Sequence, residues 1–365
     1  MTEFVQFHLL TTYPPSNLNR DDLGRPKTAV VGGTTRLRIS SQSLKRAWRE
    51  SDLFAEVLAG KIGVRTKRMG GIISESLCSG ILVSNLIEKK EGSAVNPQVE
   101  KKKADTWASA IAGAFGAIKK DNKLEIEQLV HFGQDEIAAI DRLVSVISRD
   151  DREPNEEELT DLHKVTTDVD IALFGRMLAK YQNYSIEAAA QVAHAITVHA
   201  VTLEDDYFTA VDDLNKRDDT MGAAHVGVTE FGAGIFYEYI CVNRDLLVEN
   251  LKGDETLADR TLSTFLETIC KVGPKGKQNS FASRSYASYT LIERGTQQPR
   301  SLAASFIAPL NGHNLLTDAV KRLQETREQF NSVYGPCADE QYEMNVLSGT
   351  GSLEEGKVFL AGQKV

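Results

Sequence analysis

RLRISSQSLKRAWR, residues 36–49, passes from a strand into a helix within a few residues, and that passage decides the fold class. Arg36 to Ile39 reads as strand, and Ala29 to Val31 reads as its companion across Gly32-Gly33. Ser40 or Ser41 then stands where a helix N-cap belongs. Leu44, Ala47, Trp48 and Leu53 follow at helical spacing. Arg36 and Arg38 are two apart, so on a strand they share a face. Lys45 and Arg49 are four apart, so on a helix they share a face. A helix N-terminus offers free N–H groups and partial positive charge, with Ser41, Gln42 and Ser43 as neutral donors beside it. Such a surface would track phosphates rather than read bases. The plainer alternative is a solvated amphipathic helix with an ordinary cap.

Outward from this stretch, Phe4 to Leu10 alternates and is rich in β-formers, which predicts a strand. Residues 61–180 read as a mostly helical, polar insertion, with helices over Gly71–Leu86, Thr106–Ile118 and Ile137–Ile147. EKKEGSAVNPQVEKKK and RDDREPNEEELTD read as exposed loops or tips. Residues 185–200 fit a helix or a strand equally well. The run 201–231 reads as a long hairpin or protruding loop. Ile235–Val242 and Tyr286–Ile292 read as strands, Leu257–Lys271 and Leu316–Phe330 as helices. GPKGKQNSFASRS is a basic Gly/Ser loop in which Lys275, Lys277 and Arg284 supply charge and Phe281 could stack on a base. Strand, helix, strand, helical insertion, strand, helix, strand predicts an α+β sandwich of the ferredoxin or RNA-recognition type.

The net charge of -9 over 365 residues argues against a nucleic-acid ligand until it is divided along the chain. Residues 1–50 carry eight Lys/Arg against four Asp/Glu, and 61–123 carry twelve against six. Residues 271–300 carry six against one, whereas 135–163 carry three against ten. Basic and acidic surfaces can therefore coexist on one molecule. The start MTEFVQFHLLTTY has no basic n-region, so a secretory signal is not expected. No run of about 18 apolar residues predicts a membrane span, and a cytoplasmic location is expected. Cys78, Cys241, Cys270 and Cys337 lie far apart, which predicts free thiols rather than disulfides or a zinc site. There is no dinucleotide or Walker phosphate loop and no G-x-S-x-G elbow. The seven histidines, His194 and His199 among them, read as satisfied structural residues. No cofactor or metal is expected. Acidic doublets such as Asp21-Asp22 could hold a divalent metal, though they are common on loops.

NLNRDD…AVVGGTTRLRISSQSLKRAWR resembles the N-terminus of the CRISPR Cascade backbone subunit, the CasC family of type I-E systems. DIALFGRM (170–177), VAHAITVH (192–199), DDYFTAVDDL (205–214) and AAHVGVTEFGAGIFYEY (223–239) continue the resemblance in order across most of residues 1–290. Residues 61–165 and about the last 60 match poorly. The resemblance implies a right-hand shape: an RNA-recognition-like (ferredoxin-like) palm over 1–60, 181–200 and 229–365, helical fingers over 61–180, and a hairpin thumb over 201–228. It implies copies assembled head to tail along CRISPR RNA, one guide nucleotide flipped by each thumb, and pairing with target DNA in short segments. The other partners it implies are the large, small, 5′-handle-binding and 3′-hairpin-binding Cascade subunits, with the cutting done by a separate helicase-nuclease.

On this resemblance Arg20, Lys27, Arg38, Ser40, Gln42, Ser43, Lys45 and Arg49 fall in the RNA-backbone motif. Met177 matches a position that packs on the guide, Phe208 and Thr209 match thumb residues at the kinked nucleotide, and Lys277 and Gln278 match the basic glycine loop. Two departures stand out. Thr34 replaces a basic residue, and NEEELTDLHK replaces a lysine cluster that would reach target DNA. Two other functions fit the chain: a metal-dependent ribonuclease acting from Asp21 or Asp22, and a general single-strand binder.

Overall fold

The structure, a computed structural model, describes residues 1–163, 168–178, 182–210 and 225–362. In chain order its strands are β1 (Phe4–Ser16), β2 (Thr28–Val31), β3 (Thr34–Ile39), β4 (Val64–Thr66), β5 (Val130–Phe132), β6 (Ala190–Val192), β7 (Ala195–Thr197), β8 (Glu204–Ala210), β9 (His225–Asn243), β10 (Ala287–Gly295) and β11 (Glu340–Asn345). The α-helices are α1 (Ser41–Arg49), α2 (Asp52–Val57), α3 (Met69–Ser79), α4 (Val83–Glu88), α5 (Lys101–Gly113), α6 (Gln134–Asp150), α7 (Glu156–Asp161), α8 (Val169–Phe174), α9 (Arg244–Asn250), α10 (Glu255–Lys271), α11 (Gln278–Phe281), α12 (Leu315–Tyr334) and α13 (Leu353–Leu360). The chain is α+β and divides into two compact units. One comprises 1–54, 191–243 and 262–365, the other 55–190 and 244–261.

The first unit is built on an antiparallel sheet in the order β11-β10-β1-β9-β7-β3-β2, with β8 paired to β9. β1 is central, and both of its faces are buried. Val5, Phe7 and Leu9 alternate with Gln6, His8 and Leu10. The first face receives Trp48 of α1 and Phe265 of α10, whose rings meet edge-on at 5.4 Å. The Trp48 indole N–H donates to the Val272 carbonyl at 3.1 Å. A large aromatic buried in this way contributes roughly 3 kcal/mol. The other face packs Leu10, Tyr237 and Leu291 under Ala319, Val320 and Leu323 of α12. His8 sits in that layer with no exposed surface, between the Tyr237 hydroxyl at 2.9 Å and Glu293 at 3.2 Å. Burial lowers the ring's pKa below the ordinary histidine value.

The expected strand–turn–strand around Gly32-Gly33 is β2–β3, and Leu44, Ala47 and Trp48 are the buried face of α1. Gly32 has φ +59, and a Cβ there would collide with the Ile307 carbonyl. The ambiguous stretch 185–200 holds two three-residue strands, β6 and β7. β11 and α13 were not expected from the sequence.

The second unit is helical around one core, in which Trp107, Ile111 and Phe115 meet Ile140, Val144 and Ile147. Its only sheet among the described residues is the short β4–β5 pair. The single helix expected over Gly71–Leu86 is two, α3 and α4. Gly80 ends α3 in a left-handed conformation, φ 76, against the Asn96 carbonyl. The RDDREPNEEELTD tip is not all loop. Asn155 and Glu158 form a capping box that starts α7.

Candidate nucleic-acid interface

Asn19, which is not among the expected site residues, organises the basic N-terminal region. Its side-chain oxygen accepts from the Ser40 N–H at 2.8 Å, and its carbonyl accepts from the Lys27 N–H at 2.8 Å. The loop from Arg20 to Pro26 is thereby fastened to the β3–α1 junction. Asp21 closes that loop, accepting from the Leu23 and Arg25 N–H groups at 2.9 Å each and from the Arg25 guanidinium at 3.3 Å. These bonds, led by the one from Arg25, hold its carboxyl below the ordinary aspartate value. Both Asp21 oxygens are thus engaged in their own turn, which disfavours a metal-ligand role for Asp21. Among the described residues no group of three or more His, Cys, Asp or Glu could hold a metal.

A cleft of about 650 Å³ opens between this loop, α1 and the basic glycine loop. Arg20, Ser43, Arg46 and Lys275 line it, with Asp21, Asp22 and Glu50 as the acidic members. Gly276 explains how the glycine loop comes so close, because a Cβ there would collide with the Leu18 carbonyl. The Lys275 ammonium lies 3.5 Å from the Glu50 carbonyl. Lys277 adopts φ 50 and leads into α11, where Gln278 begins the turn. Phe281 packs against Phe231 at 5.8 Å.

Ser40 is the N-cap of α1, but its hydroxyl makes no capping bond. Gln42 is exposed in the first turn. Lys45 is half-buried, and that burial lowers its ammonium pKa. A phosphate seated beside it would favour the charged form and oppose that lowering. Arg49 meets Glu50 at 3.4 Å, and Arg46 meets the same carboxylate at 3.1 Å, so Glu50 orients two guanidinium groups.

One expectation is corrected here. Arg36 and Arg38 do not form a joint phosphate surface, because Arg36 has no exposed surface. Its guanidinium donates to Thr34 Oγ1 at 2.8 Å, the Thr197 carbonyl at 2.7 Å, and the Phe306 and Ile307 carbonyls at 3.1 and 3.3 Å. Residues 306–307 cover the strand at Arg36, while Arg38 stays half-exposed. His194 is a hydrogen-bonded histidine, as expected, but one at the surface. It is exposed and lies 2.9 Å from the Arg38 guanidinium. His199 also fits the structural reading, accepting from the Ile235 N–H at 3.2 Å.

Phe208 and Thr209 lie on β8, paired with Gly227 and Val226 of β9. The Phe208 ring lies over Gly227, where a Cβ would collide with it. The missing side chain of Gly227 is the space that holds the ring across the hairpin. Residues 211–224, the middle of the expected hairpin, lie outside the described residues. In the second unit Met177 is 75% exposed. Its neighbour Arg176 is half-buried and anchors the segment by donating to Glu136 at 2.6 Å and to the His131 carbonyl at 3.0 Å. The structure thus brings Arg20 and Ser43 to one cleft with Lys275 and Gly276 of the glycine loop, and sets Lys27 beside Arg38, whereas Gln42, Lys45, Arg49, Lys277 and Gln278 do not line that cleft. Met177 belongs to the other unit.

The profile of a family described as CT1975-like protein matches residues 5–358. No curated protein matches the sequence. Among solved structures, a chain described as "CRISPR RNA-guided surveillance complex, pre-nicking" is 31% identical, with a TM-score of 0.79, over 99% of this chain and 100% of that one. A chain of a "CRISPR RNA-guided surveillance complex" is 27% identical, with a TM-score of 0.60, over 98% and 99%. No helix among the described residues is long and apolar enough to cross a membrane.

Proposed function

Because the chain belongs to the CT1975-like protein family, we propose that it is a non-catalytic backbone subunit of a type I-E-like CRISPR Cascade surveillance complex. Several copies polymerise head to tail along the spacer part of the CRISPR RNA, hold its phosphates, kink it at regular intervals and present it to target DNA. The first unit supplies the RNA-recognition-like palm and the thumb arms, and residues 61–180 are the fingers. The full-length similarity to chains of RNA-guided complexes carries this reading, at 31% identity over 99% of the chain. The cleft supports it, since Arg20 and Lys275 converge there on the face of α1 that carries Ser43 and Arg46. A subunit that grips phosphates and leaves sequence to base pairing has no need of base-specific donors.

The purified protein expressed with its CRISPR locus should carry RNA of one defined length. RNA of many lengths would instead identify a general single-strand binder. Added complementary RNA and Mg²⁺ should leave that RNA uncut, and periodic cleavage products would overturn the non-catalytic reading. Lys45→Ala with Arg49→Ala is expected to weaken RNA binding about tenfold or more, since two charge-assisted contacts are removed. The slope of log affinity against log salt should become shallower by about 1.4, because two fewer phosphates are neutralised. Filter binding across a salt series measures both, and an affinity within twofold of the parent would remove these two residues from the RNA-binding surface.

A further inference from the structure

β3 and β7 are antiparallel, with Arg38 opposite Ile196. His194 is therefore the diagonal neighbour of Arg38 on the same face of the sheet. Arg38 Nη1 lies 2.9 Å from His194 Nδ1. A guanidinium has donors only, so Nδ1 must be the acceptor in this contact. The ring proton is then on Nε2, at the opposite side of an exposed imidazole. Desolvation, followed by the positive charges of Arg38 and Lys27, lowers the ring's pKa below the ordinary histidine value. Lys27 is held next to Arg38 by the bond from the Arg38 N–H to the Lys27 carbonyl at 2.8 Å. Arg38 is further fixed by its Nε, which donates to the Thr28 carbonyl at 3.3 Å. Two cations and one N–H donor of fixed tautomer thus stand together on open surface.

We propose that His194, Arg38 and Lys27 form one phosphate subsite for single-stranded RNA, in which the Nε2–H of neutral His194 donates to a phosphate oxygen. This rests on the RNA-binding reading above and adds a residue to it. The geometry also distinguishes His194 from its two neighbours. They neutralise a phosphate and release counterions, whereas a neutral donor adds affinity without changing the salt dependence.

The test is a double-mutant cycle on the full-length protein with a single-stranded RNA oligonucleotide, read by filter binding over a salt series. His194→Ala is expected to weaken binding about three- to tenfold at every salt concentration, as the loss of one hydrogen bond predicts. Its salt slope should match the parent's. Arg38→Ala should weaken binding and flatten the slope by about 0.7. His194→Gln should restore most of the affinity, since an amide can both accept from Arg38 and donate outward. The deciding measurement is His194→Ala placed in the Arg38→Ala background. A further loss there supports direct contact, and no further loss reduces His194 to a brace for Arg38 and overturns the proposal. It is overturned as well if His194→Ala binds like the parent, or if its slope falls as far as that of Arg38→Ala. The Lys45→Ala, Arg49→Ala protein is run alongside. If it too binds normally, the RNA-binding reading has failed and not the subsite alone.

Discussion

Arg36→Met is expected to lower the unfolding free energy by about 3 kcal/mol or more, because each buried acceptor left without a donor costs roughly 1–3 kcal/mol. Methionine matches the length of the arginine stem and brings no donor. The Thr197, Phe306 and Ile307 carbonyls would lose the N–H groups that now reach them at 2.7, 3.1 and 3.3 Å. Two of these belong to the segment at the end of the short 3₁₀ turn Ala303–Phe306, which Arg36 ties to the sheet. The side chain has no exposed surface, so water cannot take its place without opening the layer. Arg36→Lys should recover only part of the loss, since an ammonium cannot fork between carbonyls lying in different directions. Urea unfolding of the three proteins measures this. A loss below about 1 kcal/mol for Arg36→Met would show that the guanidinium's own burial cost offsets its bonds.

The second large effect is on pH dependence. Asp168 lies buried beside the start of α6, and its pKa is raised from 3.8 to about 7. Burial is the main cause, helped by the charges of Asp170 and Asp135 and opposed by the N–H bond from Gln134 at 2.7 Å and by Lys61. Below pH 3.8 the group is protonated in both folded and unfolded chains. Between 3.8 and about 7 only the unfolded chain ionises, so folding stability is lost as pH rises through that window. The whole window is worth on the order of 4 kcal/mol. Asp168→Asn keeps the acceptor for Gln134 and removes the charge. Its stability advantage over the parent should grow by on the order of 2–3 kcal/mol between pH 5 and pH 8. Glu238, pushed up to about 8 by burial, gives a slope of the same sign in both proteins and cancels in the comparison. Identical pH profiles of the thermal midpoint would sink the assignment.

What the sequence disclosed and what it withheld divide along the range of the interactions. The α1 stripe of Leu44, Ala47 and Trp48 follows from local periodicity and is where the spacing puts it. The β2–β3 turn follows from two adjacent glycines. Strand parity is also local, and it rightly suggested a shared face for Arg36 and Arg38. It could not say that residues 306–307 cover only one of them, because that contact spans some 270 positions. The partner of His194 was hidden for the same reason, since Arg38 lies 156 positions away and is brought alongside by the β3–β7 pairing. The break between α3 and α4 had a local signal in Gly80, which the apolar run around it obscured. Strands as short as β7 have no periodicity to read. The basic segments stood out by composition, but their meeting at one cleft depends on Asn19 and on the bare backbone of Gly276.

β9 gives the first unit a mechanical property of its own. From Gly232 to Asn243 it is paired with β1, and over His225–Phe231 the same unbroken strand is paired with β8. The hairpin is therefore no appendage on a hinge but the outer part of a core strand, with about 3.4 Å of reach per residue. A pull along its outer end would load the β1–β9 ladder in shear, with many hydrogen bonds sharing the force at once. A body built this way transmits displacement as a lever does, with its fulcrum in the centre of the sheet.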